Sequence, residues 1–174
     1  MEFQKVIEER YSARAYEAKP VSEADVAAIL EAGRIAPTAA NRQNQYIFVC
    51  QGEQALKKAA ECSPCTFGAP VVFIICYRQT AEELKKSLEG MSGVNFPLMD
   101  ASITTTHMML KATDLGLGSC WVGRFDKAKT EEVFDLKSRD LVPAAFLPVG
   151  YAAAAPGENH LKRKPLSETV EFVK

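Results

Sequence analysis

Two arginines flank a serine in the segment Arg10-Tyr11-Ser12-Ala13-Arg14, and a second basic cluster, Lys162-Arg163-Lys164, stands near the other end of the chain. A guanidinium is a planar fork of donors that matches a phosphate bidentately, and a serine hydroxyl can add a third hydrogen bond. Brought together, the two clusters would grip a phosphate dianion; kept apart, each reads equally well as a solvated basic run. Between them lies a polar loop, Ala36-Pro37-Thr38-Ala39-Ala40-Asn41-Arg42-Gln43. The amides of Asn41 and Gln43 each carry a donor and an acceptor, which suits the edge of a heterocycle that needs both. They serve turn hydrogen bonding after Pro37 equally well.

Other catalytic chemistries find little support. The chain has two histidines, His107 and His160, with no Ser-His-acid or Cys-His arrangement and no cluster at metal-ligand spacing. His107 reads as a satisfied histidine on a buried helix. The one rival motif is Cys62-Ser63-Pro64-Cys65. A C-x-x-C can be a thiol-disulfide pair, but the thioredoxin arrangement follows a strand and opens a helix. Here it follows a helix-like stretch and precedes a strand, so a loop position is the default. A zinc site would need two further ligands, and no second pair exists.

The elements that must position these residues are those of an ordinary globular chain. Its 174 residues are 47% hydrophobic and 25% charged, which predicts one domain spanning 1–174. A net charge of −1 offers no field to draw nucleic acid or an anionic membrane. No apolar run approaches the roughly eighteen residues of a membrane span, and the N-terminus lacks a signal core. Five cysteines without framework spacing argue against a secreted disulfide scaffold, so a cytoplasmic protein is expected.

Apolar spacing predicts a short helix through Phe3, Val6 and Ile7 and a second over 26–33, with Ser22 as N-cap and Asp25 at the capping-box position. Residues 46–50 read as a strand, 53–61 as a helix, and the continuous run 70–77 as a buried strand. A charged helix over 80–89 and a flexible loop over 89–93 follow. From Ala101 to Leu110 there is no formal charge, which predicts a long buried central helix between Pro97 and Leu117, although Thr104, Thr105 and Thr106 lower its propensity. Gly116 or Gly118 suits a left-handed cap. Strands over 119–123 and 143–151, a helix over 127–136 and a strand-like Val170-Glu171-Phe172-Val173 complete the chain. This irregular alternation predicts α+β: a mixed, mostly antiparallel sheet of four or five strands flanked by helices.

The order of these pieces resembles the nitroreductase family of flavoproteins. That family opens with a short helix, an R-x-S-x-R segment, a second helix and an A-P-S-x-x-N-x-Q loop leading into the first strand. Leu115-Gly116-Leu117-Gly118-Ser119-Cys120-Trp121-Val122-Gly123-Arg124-Phe125-Asp126 is similar to its G-L-G-x-x-W-[IV]-G-x-F-[DN] segment, and Arg163-Lys164-Pro165-Leu166-Ser167-Glu168 to its R-K-P-L-x-E ending. Two departures stand out. Thr38 replaces the usual serine and keeps a hydroxyl; Asn44-Gln45 replaces the usual Pro-Trp and changes the local cavity wall.

The resemblance implies FMN as cofactor and NAD(P)H as reductant, with the chemistry carried by the flavin and no catalytic side chain. It implies a phosphate site of Arg10, Tyr11, Ser12, Arg14, Lys162, Arg163 and Lys164. It implies ring cover by Pro37, Thr38 and Ala39 from a partner subunit, amide contacts from Asn41 and Gln43, and backbone contacts from Cys120, Trp121, Val122 and Gly123. The central helix would lie at a homodimer interface with shared active sites, and the C-terminal strand would join the partner's sheet. The implied activity is ping-pong hydride transfer from NAD(P)H to a nitroaromatic, quinone or related small-molecule acceptor, whose selection would fall to residues 78–97. The alternatives are a non-catalytic FMN-binding sensor or carrier, and a thiol-disulfide protein using Cys62 and Cys65.

Overall fold

The computed structural model describes residues 1–80, 85, 89 and 93–174. Its helices are α1 (Phe3–Glu9), α2 (Glu23–Arg34), α3 (Glu53–Cys62), α4 (Phe96–Asp114) and α5 (Lys127–Val133). Its strands are β1 (Gln45–Cys50), β2 (Val71–Arg78), β3 (Gly118–Ser119) and β4 (Leu141–Gly150). The helix expected over 80–89 and the loop after it fall largely outside the described residues. The four strands form one sheet in the order β1-β2-β4-β3, antiparallel at every pairing, with helices on both faces. This is the α+β arrangement that the sequence predicts.

β2 carries the core. Its residues from Val71 to Tyr77 are all buried, and side chains alternate in direction along a strand. Val71, Phe73, Ile75 and Tyr77 share one core with Val26 and Ile29 of α2 and with Ala101 and Met108 of α4. Val72, Ile74 and Cys76 share another with Ala59, Cys62 and Leu136. A strand covered on both faces has no reason to alternate with polar residues, hence its continuous apolar run. The β2–β4 register slips between Ile75 and Cys76, where Pro143 stands opposite and has no N–H for the ladder.

Helix α2 starts as expected at Ser22. Its Oγ accepts from the Asp25 N–H at 3.1 Å and donates to the Asp25 carboxylate at 2.7 Å, a variation on the capping box. Helix α4 is capped by Asn95, whose side-chain oxygen accepts from the Leu98 N–H at 3.2 Å. Two of its three successive threonine hydroxyls bond back along the helix: Thr105 donates to the Ala101 carbonyl at 2.7 Å and Thr106 to that of Ser102 at 2.9 Å, while Thr104 Oγ1 is buried with no partner among the described residues. Bonding back to the preceding turn satisfies a hydroxyl within its own helix, so the threonine run does not break it. Gly116, at φ 76°, makes the left-handed turn after the helix.

Four expectations are corrected. Helix α4 is buried on one side only: Phe96, Met99 and Ile103, spaced by three and four residues, are 45%, 49% and 36% exposed. His107, one turn further along that row, makes no hydrogen bond among the described residues and is half-buried rather than a satisfied core histidine. The strand read over 119–123 shrinks to Gly118–Ser119 plus an isolated bridge between Val122 and Phe146. Residues 170–173 are irregular and join no strand of the sheet, with Phe172 and Val173 almost fully exposed.

Candidate functional site

Strand β3 fixes the first arginine segment. Ser12 bridges Ser119 in the parallel sense, and the Ala13 N–H donates to the Ser119 carbonyl at 2.9 Å. The two backbones approach this closely because residue 118 is glycine. A Cβ there would sit 2.8 Å from Ala13 Cβ and 2.9 Å from Ala152 Cβ. The Tyr16 hydroxyl lies 3.0 Å from the Ala13 carbonyl and 3.1 Å from that of Pro148. Burial pushes its pKa well up, which keeps it a donor.

The C-terminal segment then returns across residues 10–14. The Tyr11 hydroxyl donates to the Ala154 carbonyl at 2.7 Å, and His160 Nε2 lies 3.0 Å from the Glu8 carbonyl. The Tyr11 and His160 rings meet edge-on at 6.1 Å between centroids. These contacts enclose a cleft of about 540 Å³. Arg10, Tyr11, Ser12 and Arg14 form one wall; Arg163 and the turn 157–160 form the other. A more apolar cavity of about 430 Å³ shares Tyr11 and His160 with it.

Three guanidiniums thus converge from opposite ends of the sequence. None of them forms an ion pair among the described residues, and Glu158 is the only acid in the wall. Cations gathered without matching carboxylates repel one another, and a bound anion of charge near −2 would offset that repulsion. Lys162 and Lys164 do not join them. Both are exposed, and Lys164 lies 3.5 Å from Glu168.

Cys120 follows β3 and lies against Ser12. Burial pushes its thiol up, opposed by the Arg14 guanidinium and by a hydrogen bond with Ser12. Trp121 is exposed, Val122 is buried, and a Cβ at Gly123 would lie 3.0 Å from the Trp121 ring. None of residues 120–123 lines the cleft.

The polar loop lies apart from the cleft within one chain: Pro37, Thr38, Ala39, Asn41 and Gln43 are absent from its walls. Its backbone is strained. Ala40, Asn41 and Gln43 take φ of 52°, 53° and 52°, a left-handed region that costs a non-glycine residue roughly 1 kcal/mol or more. Backbone bonds from the Asn41 N–H to the Thr38 carbonyl at 3.0 Å and from the Arg42 N–H to the Ala39 carbonyl at 3.2 Å turn it, and two bonds to side chains latch it. The Gln43 N–H donates to Thr38 Oγ1 at 3.0 Å, and the Ala39 N–H donates to Asp100 Oδ1 of α4 at 2.9 Å. The Asn41 and Gln43 side chains stay at the surface, joined only by a 3.4 Å bond from Gln43 Nε2 to the Asn41 carbonyl.

Asp100 and His160 are absent from the sequence-derived set. Asp100 stands one residue before the uncharged stretch of α4, and His160 two residues before the basic cluster; those positions are the only signals the sequence carries for them.

The Cys62-to-Cys65 segment does structural work. The Asp126 N–H donates to the Cys62 carbonyl at 2.8 Å, and Ser63 Oγ donates to the Arg124 carbonyl at 2.7 Å, fastening the end of α3 to the segment that leads into α5. Cys62 is buried beside Thr130 and Cys50, and all five cysteines are free. Among the described residues no group of three potential ligands could hold a metal ion, and no helix is long and apolar enough to cross a membrane.

Comparison with known proteins agrees with this architecture. The sequence model of the nitroreductase family matches residues 7–64 and 58–151. A nitroreductase family protein from Clostridium difficile 630, solved by crystallography, is 34% identical with a TM-score of 0.89, over 100% of this chain and 99% of that one. A Methanothermobacter thermautotrophicus protein, provisionally named NADH dehydrogenase/NAD(P)H nitroreductase, is 30% identical over 169 residues, 92% of this chain and 83% of its own. A crystal structure from Desulfovibrio desulfuricans, in complex with FMN, shares the fold at 23% identity and a TM-score of 0.82, over 100% of this chain and 98% of that one. The convergence of both basic segments on one cleft and the match across most of the chain agree: this chain belongs to the nitroreductase family.

Proposed function

We propose that this chain is an FMN-dependent oxidoreductase that takes a hydride from NAD(P)H and delivers it to a nitroaromatic, quinone or related small-molecule acceptor. The observation that carries this reading is the cleft in which Arg10, Ser12, Arg14 and Arg163 meet. Three guanidiniums that form no ion pair among the described residues, together with a hydroxyl, fit the phosphate of FMN. When bound, FMN supplies the hydride chemistry, reduced by NAD(P)H and reoxidised by the acceptor in ping-pong order. The protein binds, orients and covers, and no side chain acts as catalyst. Tyr11 braces the phosphate wall through its bond to Ala154, while Lys162 and Lys164 add charge from outside it.

The remaining groups surround the ring, with Pro37, Thr38 and Ala39 supplied by a partner. Pro37, Thr38 and Ala39 cover the ring, the Asn41 and Gln43 amides meet its polar edge, and the 120–123 backbone borders it, with Gly123 allowing close approach. The 36–43 loop does not line the cleft of its own chain, which supports a homodimer with shared sites. The exposed row of Phe96, Met99 and Ile103 on α4 offers the apolar face for it. One FMN-binding domain over 1–174 and a cytoplasmic location fit the five free thiols.

The decisive experiment is the absorbance spectrum of the purified protein before and after anaerobic NAD(P)H. A flavin spectrum that bleaches supports the reading. Bound flavin that does not bleach favours a sensor or carrier. A colourless protein that fails to bind added FMN overturns it. In the Arg14→Ala variant FMN affinity falls at least tenfold, the loss expected for one charge-assisted hydrogen bond.

A further inference from the structure

We propose that Asp100 is a positioning residue: through Ala39 it holds the strained 38–43 loop in the one shape that presents Asn41 and Gln43 to the flavin. This rests on the FMN reading above. Three left-handed residues within four positions form a conformation that the loop abandons unless something over-determines it. The Thr38–Gln43 latch closes the loop on itself but ties it to nothing else. The Ala39–Asp100 bond at 2.9 Å is the hydrogen bond that ties it to a rigid element. Asp100 is 4% exposed on α4, so its carboxyl group cannot follow the loop if the loop moves.

A second observation separates this role from ordinary packing. Asp100 Oδ2 is buried with no hydrogen-bond partner among the described residues. Buried polar atoms without partners are uncommon and costly, and an apolar side chain at this position of α4 would suit the core better. An aspartate here costs the fold and serves the loop. The strain and the orphaned oxygen belong to one device, in which a poorly satisfied residue on a rigid helix sets the geometry of a surface loop.

The test is FMN titration of the apo-protein by flavin fluorescence quenching, with amide hydrogen exchange at Ala39. In Asp100→Ala the FMN Kd rises about tenfold, as for loss of one hydrogen bond from a preorganised site. The Ala39 amide loses protection while the global unfolding midpoint is unchanged or higher. Asp100→Asn, which keeps an acceptor oxygen, stays close to wild type in both readouts. Adding Ala40→Gly to Asp100→Ala restores part of the affinity, because glycine takes that φ without strain; a general packing defect is not relieved there. If Asp100→Ala fails to fold, Asp100→Leu, which keeps the side-chain volume without an acceptor, carries the test, with loss of Ala39 protection expected and retained protection overturning the proposal. Wild-type affinity in Asp100→Ala, or no recovery on adding Ala40→Gly, overturns the proposal. When Arg14→Ala weakens FMN binding and Asp100→Ala does not, the Asp100 role alone fails. When Arg14→Ala leaves FMN binding unchanged, the FMN reading fails and this proposal falls with it.

Discussion

The Ala13 N–H and the Ser119 carbonyl, 2.9 Å apart, make the arginine segment an extension of the sheet beyond β3. Side chains at 12 and 14 therefore project from a backbone set by β-pairing and not by a free loop. Gly118 permits this approach, so Gly118→Ala forces Ala13 or Ala152 to move. Overpacking of this kind costs about 1–3 kcal/mol. Urea denaturation should show that loss, together with weaker FMN binding. An unchanged midpoint would mean that residues 10–14 give way without cost.

Acid should unfold the protein partly through Asp114. Hydrogen bonds from Lys111 and from the Met1 ammonium, each at 2.7 Å, hold its carboxyl down at about 2, from an ordinary value of 3.8. A depressed folded value contributes stability that is present above the unfolded pKa and lost as pH falls through the folded one. Wild type should therefore exceed Asp114→Asn in Tm at pH 5, with the gap closing between about pH 4 and pH 2. Salt should narrow the gap, since the cluster is partly exposed. A gap that does not change with pH would assign the loss to packing.

The five thiols should differ sharply in reactivity. Burial pushes Cys76 up to about 12 and Cys50 up to about 11, and raises Cys62 and Cys120 as well. A thiol attacks only as thiolate. Iodoacetamide at pH 8 should therefore modify the half-buried Cys65 first in the native protein and all five after denaturation, as read by peptide mass spectrometry. Rapid native labelling of Cys76 would show that β2 opens locally.

Much of the fold was legible because local chemistry and tertiary role agree. The run 70–77 is apolar since both faces of β2 are covered, and Ser22 caps α2 because its hydroxyl reaches Asp25. The site was legible by residue type, since arginines flanking a serine point to an anion. Their meeting with Arg163 was implied by the family resemblance and not by spacing, because tertiary contact across the chain leaves no trace there. Helix α4 was legible as a helix but not in its faces. Its uncharged stretch implies burial, yet Ile103 within it faces outward with Phe96 and Met99 before it, and sequence cannot tell a core from an interface. Asp100 gave no sign of its role, because an acceptor for one backbone amide needs no motif.

That outward row yields a direct test of assembly. Under the homodimer reading, Met99→Glu with Ile103→Glu places two carboxylates in the interface and should convert the protein to monomers in sedimentation at micromolar concentration. FMN affinity should fall with it, because ring cover comes from the partner. A variant that stays dimeric would place the interface on another surface.

The placement of Arg10 and Arg163 in one cleft also orders events during synthesis. A growing chain exposes the first wall well over a hundred residues before the second, which cannot form until Arg163 has left the ribosome and the Glu158–His160 turn has folded back over Tyr11. Under the FMN reading, phosphate capture waits for that turn. A chain cut short before that turn would keep its sheet and central helix while losing its grip on the ligand.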